Sequence, residues 1–231
     1  VTQYFAELAQ NLALYDKYKA IRNSAAYTTL STERKKILEN ELRDFRLGGA
    51  ELPEDRKARF MAVQEELSAL SAKFSDNLLD ATNAYSCVIE DERELSGIPD
   101  DERQTAAEAA KEAGRPGWLF TLKAPSYGPV MQYADSRVLR EQMYRAYVTR
   151  ASEFGDTKLD NTPLMTQILK LRNEEAKTLD FANYAELSLT PKMAESPQHV
   201  AEFLRELAQR ARPFAEKDLQ EVREFAASQL N

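Results

Sequence analysis

The sequence predicts a mainly α protein, an elongated multi-helix body carrying one small two-stranded β ribbon. From Pro53 to Tyr85, apolar residues recur three or four apart at Phe60, Val63, Leu67, Leu70, Phe74, Leu78, Ala81 and Tyr85, with no internal Pro or Gly. At 1.5 Å per residue such a helix would be about 50 Å long, beyond the ~30 Å of a small domain. The 231 residues include only 7 Gly, and 30% are charged against 43% hydrophobic, a helical rather than a turn-rich balance. Two short runs, about 86–90 and 118–122, gather β-branched and aromatic residues between chain breakers.

The elements follow in order. A first helix over about 2–23 places Phe5, Leu8, Leu12, Tyr15 and Ile21 mostly on one face, and a loop covers 24–30. Ser31 is the N-cap of a second helix, 31–47, carrying Ile37, Leu38, Leu42 and Phe45 and ended by Gly48-Gly49. Pro53 suits the first turn of the long helix, 53–85, and Glu54 and Asp55 put negative charge at the positive end of its dipole. Short connections make these three helices antiparallel neighbours. Cys87-Val88-Ile89 reads as a strand, Pro99 opens an alanine-rich helix over 99–113, and Trp118 to Leu122 forms the second strand of the ribbon.

Beyond Pro125 the pattern gives helices over about 126–134 and 136–152, the second capped by Asp135 and broken at Phe154-Gly155-Asp156. Thr162-Pro163 reads as N-cap and first turn of 163–179, and Ser196-Pro197 opens 197–211 in the same style. Pro213 lacks a backbone donor, which predicts a kink or short break before a final helix over 214–228. With no low-complexity linker and no repeat, residues 1–231 read as a single helical piece. The chain starts at Val1, inside a helical pattern and without an initiator Met, and stops at Asn231 just after a helix, so it reads as an excerpt.

Charge and composition exclude several functions. With 31 Lys and Arg against 38 Asp and Glu, the formal net charge is -7 and no long basic block exists, which speaks against nucleic acid or an anionic membrane as main partner. No apolar run approaches the ~18 residues of a membrane span, and no signal-peptide core opens the chain. The single cysteine, Cys87, rules out an intrachain disulfide and fits a cytoplasmic compartment.

The ligand inventory is equally restrictive. His199 is the one histidine, so neither His-Glu-x-x-His nor a paired Glu-x-x-His di-iron set can form. Glu195, one turn before His199, invites a ligand pair, but such spacing is common in charged helices and a surface or capping His is the simpler reading. Cys87 lies in an apolar run and reads as a small core residue. No Gly-x-Ser-x-Gly elbow and no phosphate-cradling glycine loop is present. The adjacent acids Glu65-Glu66 and Glu174-Glu175 point to neighbouring positions around a helix, which makes them solvated charge rather than a general acid/base pair. Tyr127, Tyr133, Tyr144 and Tyr147 could line a peptide groove, although core packing is the commoner use. These residues alone describe a helical module with no catalytic, cofactor-binding or metal residues of its own.

The stretch TLKAPSYGPVMQYAD over 121–135, followed by LREQMYRAYVTRAS over 139–152, resembles the thimet oligopeptidase family of zinc metallopeptidases. The resemblance continues through Asp160-Asn161, 168–172, 183–186, 192–194 and 207–213, and upstream at 42–45 and 79–82, so it covers nearly the whole chain. It implies a mostly helical, neurolysin-like fold whose two lobes flank a deep channel, and a cytoplasmic endopeptidase acting on short peptides, including cleaved signal peptides and products of protein turnover. It also implies a zinc ion held by the two His of His-Glu-x-x-His and a downstream Glu. None of those ligands is here, so the match is to the front part of such an enzyme: a piece expected to be inactive alone, to lack its catalytic lobe and to self-associate. A departure lies at Leu179-Asp180-Phe181, where the family commonly has Gly at the middle position; Asp still tolerates a left-handed helix end. The competing reading is a non-enzymatic helical interaction module.

Overall fold

The structure, a computed structural model, describes residues 2–229, apart from the side chains of residues 2, 3, 5 and 6, so the expected packing of Phe5 lies outside the described residues. It is mainly α, with one two-stranded antiparallel ribbon. The helices are α1 (Thr2–Ala9), α2 (Leu12–Arg22), α3 (Ala25–Thr29), α4 (Thr32–Leu47), α5 (Glu54–Ala84), α6 (Asp100–Glu112), α7 (Ala124–Tyr133), α8 (Arg137–Val148), α9 (Thr162–Thr178), α10 (Tyr184–Leu189) and α11 (Pro197–Gln229). The strands are β1 (Cys87–Ile89) and β2 (Trp118–Phe120). The chain divides into two compact units, Val1–Glu65 with Arg172–Asn231 and Glu66–Leu171.

In the second unit the ribbon pairs Cys87 with Phe120, Val88 with Leu119 and Ile89 with Trp118. One face of it meets Leu95, Ile98, Val130, Leu139 and Met143, all essentially inaccessible to solvent. Burying such side chains contributes roughly 1.5–3 kcal/mol each and holds α7 and α8 to the ribbon. Gly97 and Gly117 have φ of +86° and +78°, and a Cβ there would strike the carbonyl oxygens of Tyr133 and Ile89. Both turns therefore require glycine.

The same unit contains a buried amide pair. Asn77 Nδ2 donates to Asn161 Oδ1 at 2.9 Å, and Asn161 Nδ2 donates to the Phe74 carbonyl at 3.0 Å. The backbone N–H of Asn161 donates to the Ala151 carbonyl at 3.0 Å. This corrects one detail of the long stripe: Leu78 is 37% exposed while Asn77 is 7% exposed, because a partner across the unit makes the amide the better inward residue.

In the first unit α2 packs on α4 through Tyr15 and Tyr18, whose ring centroids lie 5.4 and 5.8 Å from that of Phe45. Tyr15 also donates to Glu51, and burial together with that carboxylate pushes its phenol up to about 12. At the end of α9, Asp180 has φ +63°, Phe181 N–H reaches the Ala176 carbonyl at 2.8 Å, and the helix closes in a left-handed cap without glycine.

Several boundaries differ from the sequence reading. The first expected helix is two, because the Asn11 side chain accepts from Leu14 N–H and starts α2 afresh. Residues 25–29, read as loop, form α3, and the Asn183 side chain, accepting from Glu186 N–H while Glu186 accepts from Ala182 N–H, starts the single turn-and-a-half of α10, too short to show a period. Ser136, not Asp135, caps α8, since Asp135 accepts a 2.6 Å bond from the Ser96 hydroxyl. The helix stops at Val148 rather than 152, where Ala151 turns through φ +47°. Pro213 does not break α11: it removes one donor from a helix whose flanks are strong formers, with an Arg210–Glu206 ion pair before it and an Arg212–Glu216 pair spanning it.

Replacing Asn161 by Ala strands the Asn77 amide and the Phe74 carbonyl. Asn161→Ala is expected to destabilise the protein by about 1–3 kcal/mol, read from a lower urea midpoint with an unchanged slope; an unchanged midpoint would show that the pair carries no load.

Candidate functional site

His199 lies in the first turn of α11, its backbone N–H donating to the Ser196 hydroxyl at 3.0 Å. Its imidazole is 58% exposed and Nδ1 lies 3.9 Å from Glu195, also exposed. That is a surface contact with no third donor. Cys87 is buried, takes a 3.3 Å bond from the Gln142 amide, and burial pushes its thiol up, away from nucleophilic character. Among the described residues no group of three or more His, Cys, Asp or Glu side chains comes together. The donor set therefore does not fit the zinc ion that the resemblance implies, which takes three protein ligands and an open position.

The paired acids have structural partners. Arg59 Nε and Nη2 donate to the two oxygens of Glu174 at 2.6 and 2.7 Å, and the guanidinium holds that carboxyl below its ordinary value. Glu175 is half-buried, accepts from Gln64 at 2.7 Å, and burial pushes its carboxyl up. Reading Glu174-Glu175 as solvated charge was thus incomplete: the two join the first turns of α5 to the last turns of α9 within the first unit. Glu66 accepts from Gln167 within the second unit, while Glu65 is exposed.

The tyrosines split into two groups. Tyr127 and Tyr147 stack at 4.2 Å, and the Arg150 guanidinium lies 3.6 Å over the Tyr147 ring while donating to Thr82 at 2.9 Å. Those two rings pack against the ribbon core, whereas Tyr133 and Tyr144 are each 52% exposed.

Most of α11 is exposed. Phe203, Leu207, Phe214, Val222 and Phe225 are all more than half exposed, although their spacing marks one broad apolar face. The ion pairs Arg210–Glu206, Arg212–Glu216 and Lys217–Glu221 bind charge to charge along the same helix. No helix among the described residues is long and apolar enough to cross a membrane. The helix is 33 residues long and amphipathic, with its large apolar side chains exposed.

Comparison with known proteins gives that face a context. Residues 1–57 match the model of the neurolysin/thimet oligopeptidase N-terminal domain, and residues 130–231 match that of peptidase family M3. Over 232 aligned residues the whole chain is 46% identical to oligopeptidase A of Haemophilus influenzae, 45% to that of Salmonella typhimurium and 44% to that of Escherichia coli.

The chain resembles peptidase family M3, with the family's sequence over residues 130–231.

The chain spans 34% of the length of each of those three relatives. Similarity reaches across the family, with 29% identity over 95% of the chain to dipeptidyl carboxypeptidase of Escherichia coli. The M3 match covers α11 in full, so its uncovered apolar face belongs to the family's own sequence.

The two neighbouring acids should respond to pH in opposite senses. Glu174, depressed by Arg59, adds stability above its ordinary value of 4.5 that is lost as pH falls through the lower folded value. Because both partners are exposed, that contribution is below about 1 kcal/mol. Glu175, raised by burial, favours the fold while protonated and loses that contribution as pH rises through the higher folded value. In urea unfolding at about pH 3 and about pH 7, Glu174→Gln is expected to lose stability against the parent only at the higher pH, and Glu175→Gln to gain only there. Equal effects at both pH values would contradict this reading.

Proposed function

We propose that this chain is the front part of an oligopeptidase A-like zinc metalloendopeptidase, cytoplasmic, which hydrolyses short peptides including cleaved signal peptides and products of protein turnover. The observation that carries the reading is the 44–46% identity to oligopeptidase A along the entire chain. The whole protein's zinc and general base come from outside these residues, consistent with the donor set described above. The chain's share is structural: a helical wall with peptide-facing potential at Tyr133 and Tyr144, and an apolar face on α11 against which the catalytic lobe packs. Every named relative at this level is a peptidase, which favours this reading over a non-enzymatic interaction module.

The intact protein is expected to cleave a short quenched-fluorescent peptide, to lose that activity with a chelator and to regain it with zinc, while the 231-residue chain alone gives no turnover. Chelator-sensitive cleavage by the isolated chain would contradict the division of labour, and an intact protein inert toward all short peptides would contradict the peptidase reading itself. Large apolar side chains left exposed along one helix favour association. Sizing with light scattering should therefore show concentration-dependent self-association of the isolated chain, reduced by Phe214→Ser; a strict monomer at high concentration would oppose it.

A further inference from the structure

A cavity of about 320 Å³ lies in the first unit, between the end of α4, the turn into α5 and the left-handed cap that closes α9. That volume is at the lower end of the range of small-molecule sites. Its walls divide cleanly. Leu47, Leu52, Leu179 and Phe181 supply apolar surface, and Arg43, Arg46 and Arg56 also line it.

The three arginines differ in how far their charge is answered. Arg43 is satisfied, with Asp44 at 2.8 Å and the Asn40 amide oxygen at 3.0 Å. Arg46 makes a 3.3 Å bond from Nε to the Leu42 carbonyl, and among the described residues no carboxylate pairs with it at ion-pair distance. Arg56 makes a long 3.4 Å bond to the Thr178 carbonyl, and the nearest oxygen of Asp180, itself 85% exposed, stands 4.0 Å away. The remaining acid in the wall, Glu51, is engaged by the Tyr15 hydroxyl. Two guanidinium forks therefore keep donor capacity at a partly apolar cavity. Arginine forks match a planar carboxylate bidentately.

We propose that this cavity is a binding site for a small organic monocarboxylate with an apolar body, its carboxylate taken by Arg46 and Arg56 and its body by Leu52 and Phe181. Three arginines face two resident acids, Glu51 and Asp180, so selection among oxyanions falls to the apolar walls. The apolar walls in turn require more than a bare ion. A volume of about ten waters, at ~30 Å³ each, accommodates a body the size of an acylated amino acid. The site is built within one unit and does not depend on the peptidase reading.

Titration calorimetry of the intact protein with N-acetyl-leucine, its uncharged amide and inorganic phosphate tests the proposal. Saturable binding of N-acetyl-leucine is expected, with the amide and phosphate each roughly tenfold weaker or undetectable. Arg46→Gln and Arg56→Gln should each weaken binding by about tenfold, while both variants unfold at the parent's temperature within a few degrees. If Arg46→Gln fails to fold, Arg56→Gln alone carries the test. Absence of saturable binding, equal binding of the amide, equal binding of phosphate, or full affinity in a folded arginine variant would each overturn it.

Discussion

The uninterrupted backbone of α5 constrains much of what surrounds it. A helix of 31 residues presents one side chain in every three or four to the same neighbour, so each packing partner must meet it at a fixed register. In its first half that register brings Phe60 and Val63 into full burial and places Arg59 and Gln64 opposite Glu174 and Glu175. Further along, the same geometry turns Asn77 inward, where an apolar residue would leave Asn161 Oδ1 without its donor. Polar ties of this kind add modestly to stability, but removing one partner is costly, which gives the pairing specificity as well as strength.

The division between what the sequence disclosed and what it hid follows the range of the forces involved. Short-range effects were legible: Ser31 caps α4, Gly49 with its positive φ ends it, and β1 and β2 are where β-branched and aromatic residues gather. Competition among neighbours was harder. Asp135 and Ser136 can both cap a helix, and the choice fell to Ser136 only because the distant Ser96 claims Asp135. Asn11 and Pro213 show the opposite failure of rank: a single Asn side chain restarts a helix, while a single Pro leaves one whole. In the first case the side chain offers the backbone a substitute bond; in the second, the missing bond is one among many.

Function was legible by kinship and by elimination rather than by a visible site. One histidine, one buried cysteine and carboxylates tied to Arg59 and Gln64 leave no catalytic constellation among the described residues, whereas residues 1–57 match the neurolysin/thimet oligopeptidase N-terminal domain and residues 130–231 match peptidase family M3. The arginine-lined cavity could not be foreseen from sequence, since Arg43, Arg46, Arg56 and Phe181 converge only through the packing of α4, α5 and the α9 cap. The apolar face of α11 was visible as a period, but its exposure was not: amphipathic spacing says that a face wants burial, not whether its partner is present.

We propose that this chain is a folded wall of a larger peptidase, the rest of which covers the α11 face. Amide hydrogen exchange across residues 203–225, compared between the isolated 231-residue chain and the intact protein at low concentration, tests it most directly. The account predicts rapid exchange in the isolated chain and strong protection in the intact protein. Equal exchange in the two would contradict it.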